Sequence, residues 1–151
     1  MTGMSISREP ARQPDVERML LAGEQFARSL YSEEECFLLD VSELDRPDVA
    51  VFVSRLDGVA VGMVAVVGSG DSPELKRLFV DDSARGRGLA AELLASAEAH
   101  ARETGAQVIR LETGTLSTAA VALYEKHGYT HIPRFGEYVD SESSVCMEKS
   151  L

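Results

Sequence analysis

Glu74-Leu75-Lys76-Arg77-Leu78-Phe79-Val80, then Asp81-Asp82-Ser83-Ala84, then Arg85-Gly86-Arg87-Gly88-Leu89-Ala90 decide how this chain folds. An apolar strand ends, a polar turn carries two glycines and two arginines, and an alanine- and leucine-rich helical pattern runs on to Thr104. The first N–H groups of a helix lack intrahelical partners and sit at the positive end of its dipole, so this turn reads as an anion site, a phosphate above all.

At 151 residues and 44% hydrophobic content, one domain spanning 1–151 is expected. A chain of this size buries roughly 70% of the surface it exposes when unfolded, and needs no disulfide or metal to fold. A net charge of −10 argues against non-specific nucleic-acid binding, which depends on basic surface. A phosphate site must then be locally basic, and Arg77, Arg85 and Arg87 supply that charge. Met1–Pro14 has no apolar core and does not read as a secretory signal. The most apolar run, Val59–Val67, is too short to span a bilayer. Cys36 and Cys146 read as reduced thiols of a cytoplasmic protein, and no cluster suggests a metal.

Outward from the glycine turn, the chain alternates strand and helix signals. Ser5–Arg8 reads as a short edge strand. Val16, Met19, Leu20, Phe26, Leu30 and Tyr31 recur at near-helical spacing, with Asp15 available as cap. Ser32-Glu33-Glu34-Glu35 reads as a solvated turn, with an acidic rim for a cationic substrate as the rival. Two β-branched runs, Asp48–Leu56 and Val59–Val67, meet at Asp57-Gly58 and predict an antiparallel hairpin. A second turn over Gly68–Pro73 leads to the strand Leu75–Val80.

Beyond the glycines, Leu89, Leu93, Leu94, Ala97 and Ala101 share a helical face, with Glu92, Glu98 and Arg102 elsewhere and Gly105 at the stop. Gln107–Glu112 follows by crossover and should lie parallel to the strand ending at Val80. Thr113-Gly114-Thr115 turns the chain. Ser117 or Thr118 caps a helix to His127, with Gly128 at its end. Tyr129–Pro133 and Ser144–Lys149 read as two last strands.

Two registers compete for the glycine turn. Gly86-Arg87-Gly88-Leu89-Ala90-Ala91 matches the dinucleotide-binding fingerprint G-x-G-x-x-A, with Glu112 near the place of a ribose-binding acid. An antiparallel meander before the turn, and residues 81–84 between strand and arginine, disfavour it. Counted from Arg85, the turn reads Arg85-x-x-Gly88-x-Ala90. In that register the chain resembles the GNAT superfamily of acyl-CoA-dependent N-acyltransferases, whose pyrophosphate motif opens the central helix. Ala120-Val-Ala-Leu-Tyr124-Glu-Lys-His-Gly128-Tyr129 is similar to that family's later A-x-x-L-Y-x-x-x-G-[F/Y] segment. Glu74-Leu-Lys-Arg, Leu111-Glu-Thr-Gly114 and Ile132-Pro-Arg-Phe-Gly-Glu-Tyr138 look like a small bacterial subgroup whose acceptors are unassigned.

The resemblance implies an α/β fold with a mixed sheet of six or seven strands, splayed between two central parallel strands and covered by helices on both faces. It implies acetyl-CoA as cosubstrate. Arg85, Gly86, Arg87, Gly88, Leu89 and Ala90 would hold the pyrophosphate, and the bulged strand backbone at Leu78, Phe79 and Val80 would pair with the pantetheine arm. Ser117 stands where many members carry Asn for a further pantetheine contact; it is shorter, and its other reading is a helix cap. Tyr124 is the implied general acid. Glu74 is the implied base, with Glu112 as an alternative base or a binder of the substrate ammonium. Tyr31 and Tyr138 are expected to line the acceptor pocket. The expected partner is a small-molecule primary amine; a peptide or protein amine, or a non-catalytic acyl-CoA sensor, are the alternatives. No nucleic acid or membrane partner is expected, and a homodimer stays open.

Overall fold

Asp57 at φ 50° and Gly58 at φ 84° turn the chain between β2 (Val49–Leu56) and β3 (Val59–Val67) as Asp-Gly chemistry predicts. The computed structural model describes residues 3–36, 40–68 and 70–151. Along the chain the other strands are β1 (Met4–Arg8), β4 (Glu74–Val80), β5 (Val108–Gly114), β6 (Thr130–Ile132) and β7 (Ser144–Ser150). The helices are α1 (Pro14–Leu30), α2 (Val41–Leu44), α3 (Leu89–Glu103) and α4 (Thr118–Lys126). One seven-stranded sheet results, in the order β1-β2-β3-β4-β5-β7-β6. Of the predicted turn at Gly68–Pro73, Ser69 lies outside the described residues.

The sheet is buried on both sides by opposite alternations of β3. Met63 and Ala65 pack with Val16, Met19 and Leu20 of α1 and Leu44 of α2. Val64 and Val66 pack with Leu93, Leu94 and Ala97 of α3, and with Ile109, Leu111 and Tyr124. A strand covered on both faces reads as a continuous apolar run, which is why Val59–Val67 looks so hydrophobic. No helix among the described residues is long and apolar enough to cross a membrane.

The feature that makes a site is the middle of the sheet. β4 and β5 are parallel, but they pair only through Glu74 with Arg110 and Leu75 with Leu111. Past that point β4 bulges: Met63 faces Phe79 and Ala65 faces Lys76, so Val64 opposes both Arg77 and Leu78. Arg77 takes φ 59° to make the bulge, a conformation that costs a residue with a Cβ about 1–2 kcal/mol. The strands therefore part towards their carboxyl ends, as the resemblance implies.

Several local expectations need correction. α1 begins at Pro14 with Gln13 as its N-cap, and Asp15 lies inside the first turn, where it complements the dipole. α2 has no apolar period to announce it. Its signal is a capping box, in which the Glu43 N–H donates to Asp40 Oδ1 at 2.9 Å and the Asp40 N–H to Glu43 Oε1 at 3.3 Å. β5 continues through Thr113 and Gly114, which pair with Val145 and Ser144, so the expected turn begins later. Glu98 is 5% exposed; it accepts from the Tyr129 hydroxyl and Lys149 Nζ, both at 2.9 Å, and so belongs to the covered side of α3.

Candidate active site

The start of α3 is built for an anion. Gly86 and Gly88 take φ 80° and 75°, with Gly88 as the left-handed N-cap. A Cβ at either would meet no atom of the described residues within 4 Å, so it is the backbone conformation that calls for glycine. The amides of residues 86–91 donate to no group among the described residues, leaving a fan of donors at the positive end of the helix. Arg85 stands beside them, exposed and 3.1 Å from Asp82.

From this point a cleft of about 1150 Å³ follows the gap between β4 and β5 to the second half of α1. Leu78, Phe79 and Val80 form one wall and α4 the other, through Ser117, Ala120, Leu123 and Tyr124. Arg85, Gly86, Gly88, Leu89, Ala90, Glu112 and Tyr31 also line it, whereas Arg87 does not.

Tyr124 is 6% exposed and stands edge-on to Tyr129, with ring centroids 5.7 Å apart. Burial pushes its phenol up, and the Glu112 carboxylate adds to the shift. Such a phenol stays protonated at neutral pH and can give a proton but not take one. Glu112 is pushed up to about 7, first by burial. Two influences oppose the shift: the buried Ser144 hydroxyl, which donates to Glu112 Oε2 at 2.6 Å, and the Lys76 charge. Glu112 and Tyr124 thus border the same cleft and act on each other electrostatically.

Tyr31 does more than line the cleft. Its hydroxyl lies 2.8 Å from Ser117 Oγ and accepts from the Leu116 N–H at 3.0 Å. It also lies over Gly114, where a Cβ would overlap the phenol. Ser117 is the N-cap residue of α4 by position, but its hydroxyl makes no cap bond. The contact with Tyr31 replaces the capping role expected for it.

Two predicted residues are placed behind the cleft wall. Tyr138 is 1% exposed; it donates its hydroxyl proton to Glu74 Oε2 and does not border the cleft. Glu74 is likewise off the cleft, and also lies 3.4 Å from Lys76 Nζ. A carboxylate already held by a phenol and an ammonium is poorly disposed to reach an acceptor. Arg77, grouped in sequence with the phosphate-loop arginines, instead crosses towards α1, donating from Nη2 to the Leu20 carbonyl at 2.6 Å.

Other contributors carry no sequence signal. Ser144 reaches Glu112 only through β5–β7 pairing, and Ser141 supports it at 2.8 Å. Phe26, expected on the buried side of α1, is 58% exposed and borders the cleft. Glu35 keeps the turn character expected of its run. Its carboxylate accepts from the Ser32 N–H and hydroxyl at 2.9 and 2.8 Å, and is lowered by those bonds and one from Ser143.

A sheet parted between two parallel strands, with a helix N-terminus at one end of the gap and Tyr124 and Glu112 along it, is the arrangement of an acyltransferase. The chain belongs to the acetyltransferase (GNAT) family, whose model matches residues 14–129. It is 35% identical over 153 residues to the IAA acetyltransferase of Azospirillum brasilense, covering 100% of both chains. A candidate acyl-CoA N-acyltransferase from Klebsiella pneumoniae subsp. pneumoniae superposes with a TM-score of 0.86 at 33% identity, over 98% of this chain and 97% of that one. The PaiA N-acetyltransferase of Thermoplasma acidophilum, solved in complex with coenzyme A, shares the fold with a TM-score of 0.74 at 18% identity over 99% of each chain. The dinucleotide register of the glycines is thereby set aside.

Proposed function

We propose that this protein transfers an acetyl group from acetyl-CoA to a primary amine of a small molecule by direct attack. The observation that carries this reading is the shared cleft, which joins the open amides of residues 86 and 88–91 to Tyr124 and Glu112 through the gap between β4 and β5. Acetyl-CoA supplies an activated thioester. Those amides and Arg85 take its phosphates, and the β4 wall from Leu78 to Val80 takes the pantetheine arm.

Glu112, ionised above its pKa, removes a proton from the acceptor ammonium. The freed amine forms a C–N bond to the thioester carbonyl, and the tetrahedral adduct collapses with loss of the C–S bond. Tyr124 hands its phenolic proton to the departing thiolate, the surplus proton on the new amide nitrogen returns to the Tyr124 phenolate, and Glu112 releases the proton it took to solvent. No covalent enzyme intermediate is required. Glu112 is preferred to Glu74 as base because it borders the cleft, while Glu74 is engaged by Tyr138 and Lys76.

A thiol-release assay over a panel of small amines tests the reading. Tyr124→Phe should lower kcat by roughly 10²–10⁴ with acetyl-CoA affinity kept. Unchanged turnover would remove Tyr124 as the acid. Acetyl-CoA binding without thiol release from any amine would favour a sensor.

A further inference from the structure

We infer that Arg77 anchors a carboxylate on the acceptor, so that the amine taken by this cleft belongs to an amino-acid-like molecule with an apolar body. This deepens the acetyl-transfer reading by naming its acceptor class, while the carboxylate site itself stands on Arg77.

Arg77 is an unusual residue for its position. It holds a left-handed backbone at φ 59° in the β4 bulge, which sends its side chain from the sheet towards α1. Nη2 is engaged by the Leu20 carbonyl, but Nη1 is buried and, among the described residues, has no hydrogen-bond partner. Among the described residues Arg77 forms no ion pair; the charge that bears on it is that of Glu24. Loss of water therefore disfavours its charged form. A guanidinium that has given up water without gaining an anion is costly to bury.

Its surroundings say what would relieve that cost. Arg77 borders the cleft together with Met19, Ala22, Phe26 and Phe79, an apolar wall. Gly23 faces it across α1, and a Cβ there would come within 3.9 Å of Nη2. A carboxylate is the anion whose two oxygens match the guanidinium fork, and an apolar body beside it would cover the α1 wall. Nη1 is turned away from solvent, so the proposed carboxylate binding requires the guanidinium to rotate within this wall. Glu112 lies on the β5 side of the same cleft, where it meets the amine of the same molecule.

The test separates anchor from brace, because Arg77 also ties β4 to α1. Calorimetry on the full chain uses 3-phenylpropionate, which has the carboxylate and no amine, against the neutral 3-phenylpropanol. The wild type should bind the acid and not the alcohol, and Arg77→Gln should weaken acid binding by about tenfold or more with acetyl-CoA affinity unchanged. In thiol release, Arg77→Gln should raise KM for phenylalanine by a similar factor and leave KM for phenethylamine alone, and Arg77→Lys should restore part of the difference.

Equal wild-type affinity for acid and alcohol would overturn the anchor even if no variant folds. So would an Arg77→Gln protein that melts lower yet keeps the wild-type ratio of KM values. Arginine-dependent acid binding with no amine acetylated would uphold the anchor and overturn the reaction.

Discussion

Glu112 shows how one residue's chemistry is set by what surrounds it. Burial raises its pKa from the ordinary carboxylate value of 4.5 to about 7, while the Ser144 hydroxyl and Lys76 pull the other way. The folded state thus holds this proton more tightly than the unfolded chain, so Glu112 costs stability as pH rises from about 4.5 to about 7, and the cost is complete above that window. Glu112→Gln should therefore raise stability at pH 8 by roughly 1–3 kcal/mol and leave it unchanged near pH 4, as chemical denaturation at the two pH values would read. The same substitution should lower kcat/KM by about 10²-fold or more. The wild-type kcat/KM should fall below an apparent pKa near 7. Sequence offered Glu112 only as an alternative to Glu74, because nothing in strand spacing says which carboxylate reaches the gap. Burial and the β5–β7 register are what favour Glu112 in the proposed reaction.

At the scale of elements, the C-terminus of α1 and the start of α4 are latched across the end of β5. Tyr31 bonds Ser117 and the Leu116 amide, and the latch closes because Gly114 presents no side chain. Gly114→Ala should push Tyr31 away and forfeit both bonds. A loss of roughly 1–3 kcal/mol, or about 2–10 °C in melting temperature, is expected, together with a weaker KM for acceptors. An unchanged melting curve and KM would show that the latch contributes nothing. The elements themselves were largely legible: the Asp57-Gly58 hairpin, α3 between Gly88 and Gly105, and α4 before Gly128 each carry turn or cap chemistry of their own. α2 carries a weaker signal, because four residues offer no period, only a capping box. Helical spacing sets Glu98 off the apolar face, and it cannot anticipate that Tyr129 and Lys149 arrive to satisfy a buried carboxylate.

The whole molecule is acidic, at −10, yet presents its open helix amides and Arg85 to one end of the cleft. Acetyl-CoA at about 100 times its dissociation constant should stabilise the fold by about 2.7 kcal/mol and raise its melting temperature by roughly 5–10 °C, whereas NAD should not. A shift with NAD alone would contradict the site assignment. Sequence by itself determined the order of elements, the glycine turn at the head of α3 and the acyltransferase motifs. Those depend on local backbone chemistry and on periods that a chain carries wherever it goes. Tertiary structure alone decided that β7 enters between β5 and β6, placing Ser144 against Glu112. It also withdrew Tyr138 and Glu74 behind the wall and turned Arg77 inward to α1. Those outcomes come from long-range pairing and from which groups lose water together, and neither is written in the spacing of residues along a strand.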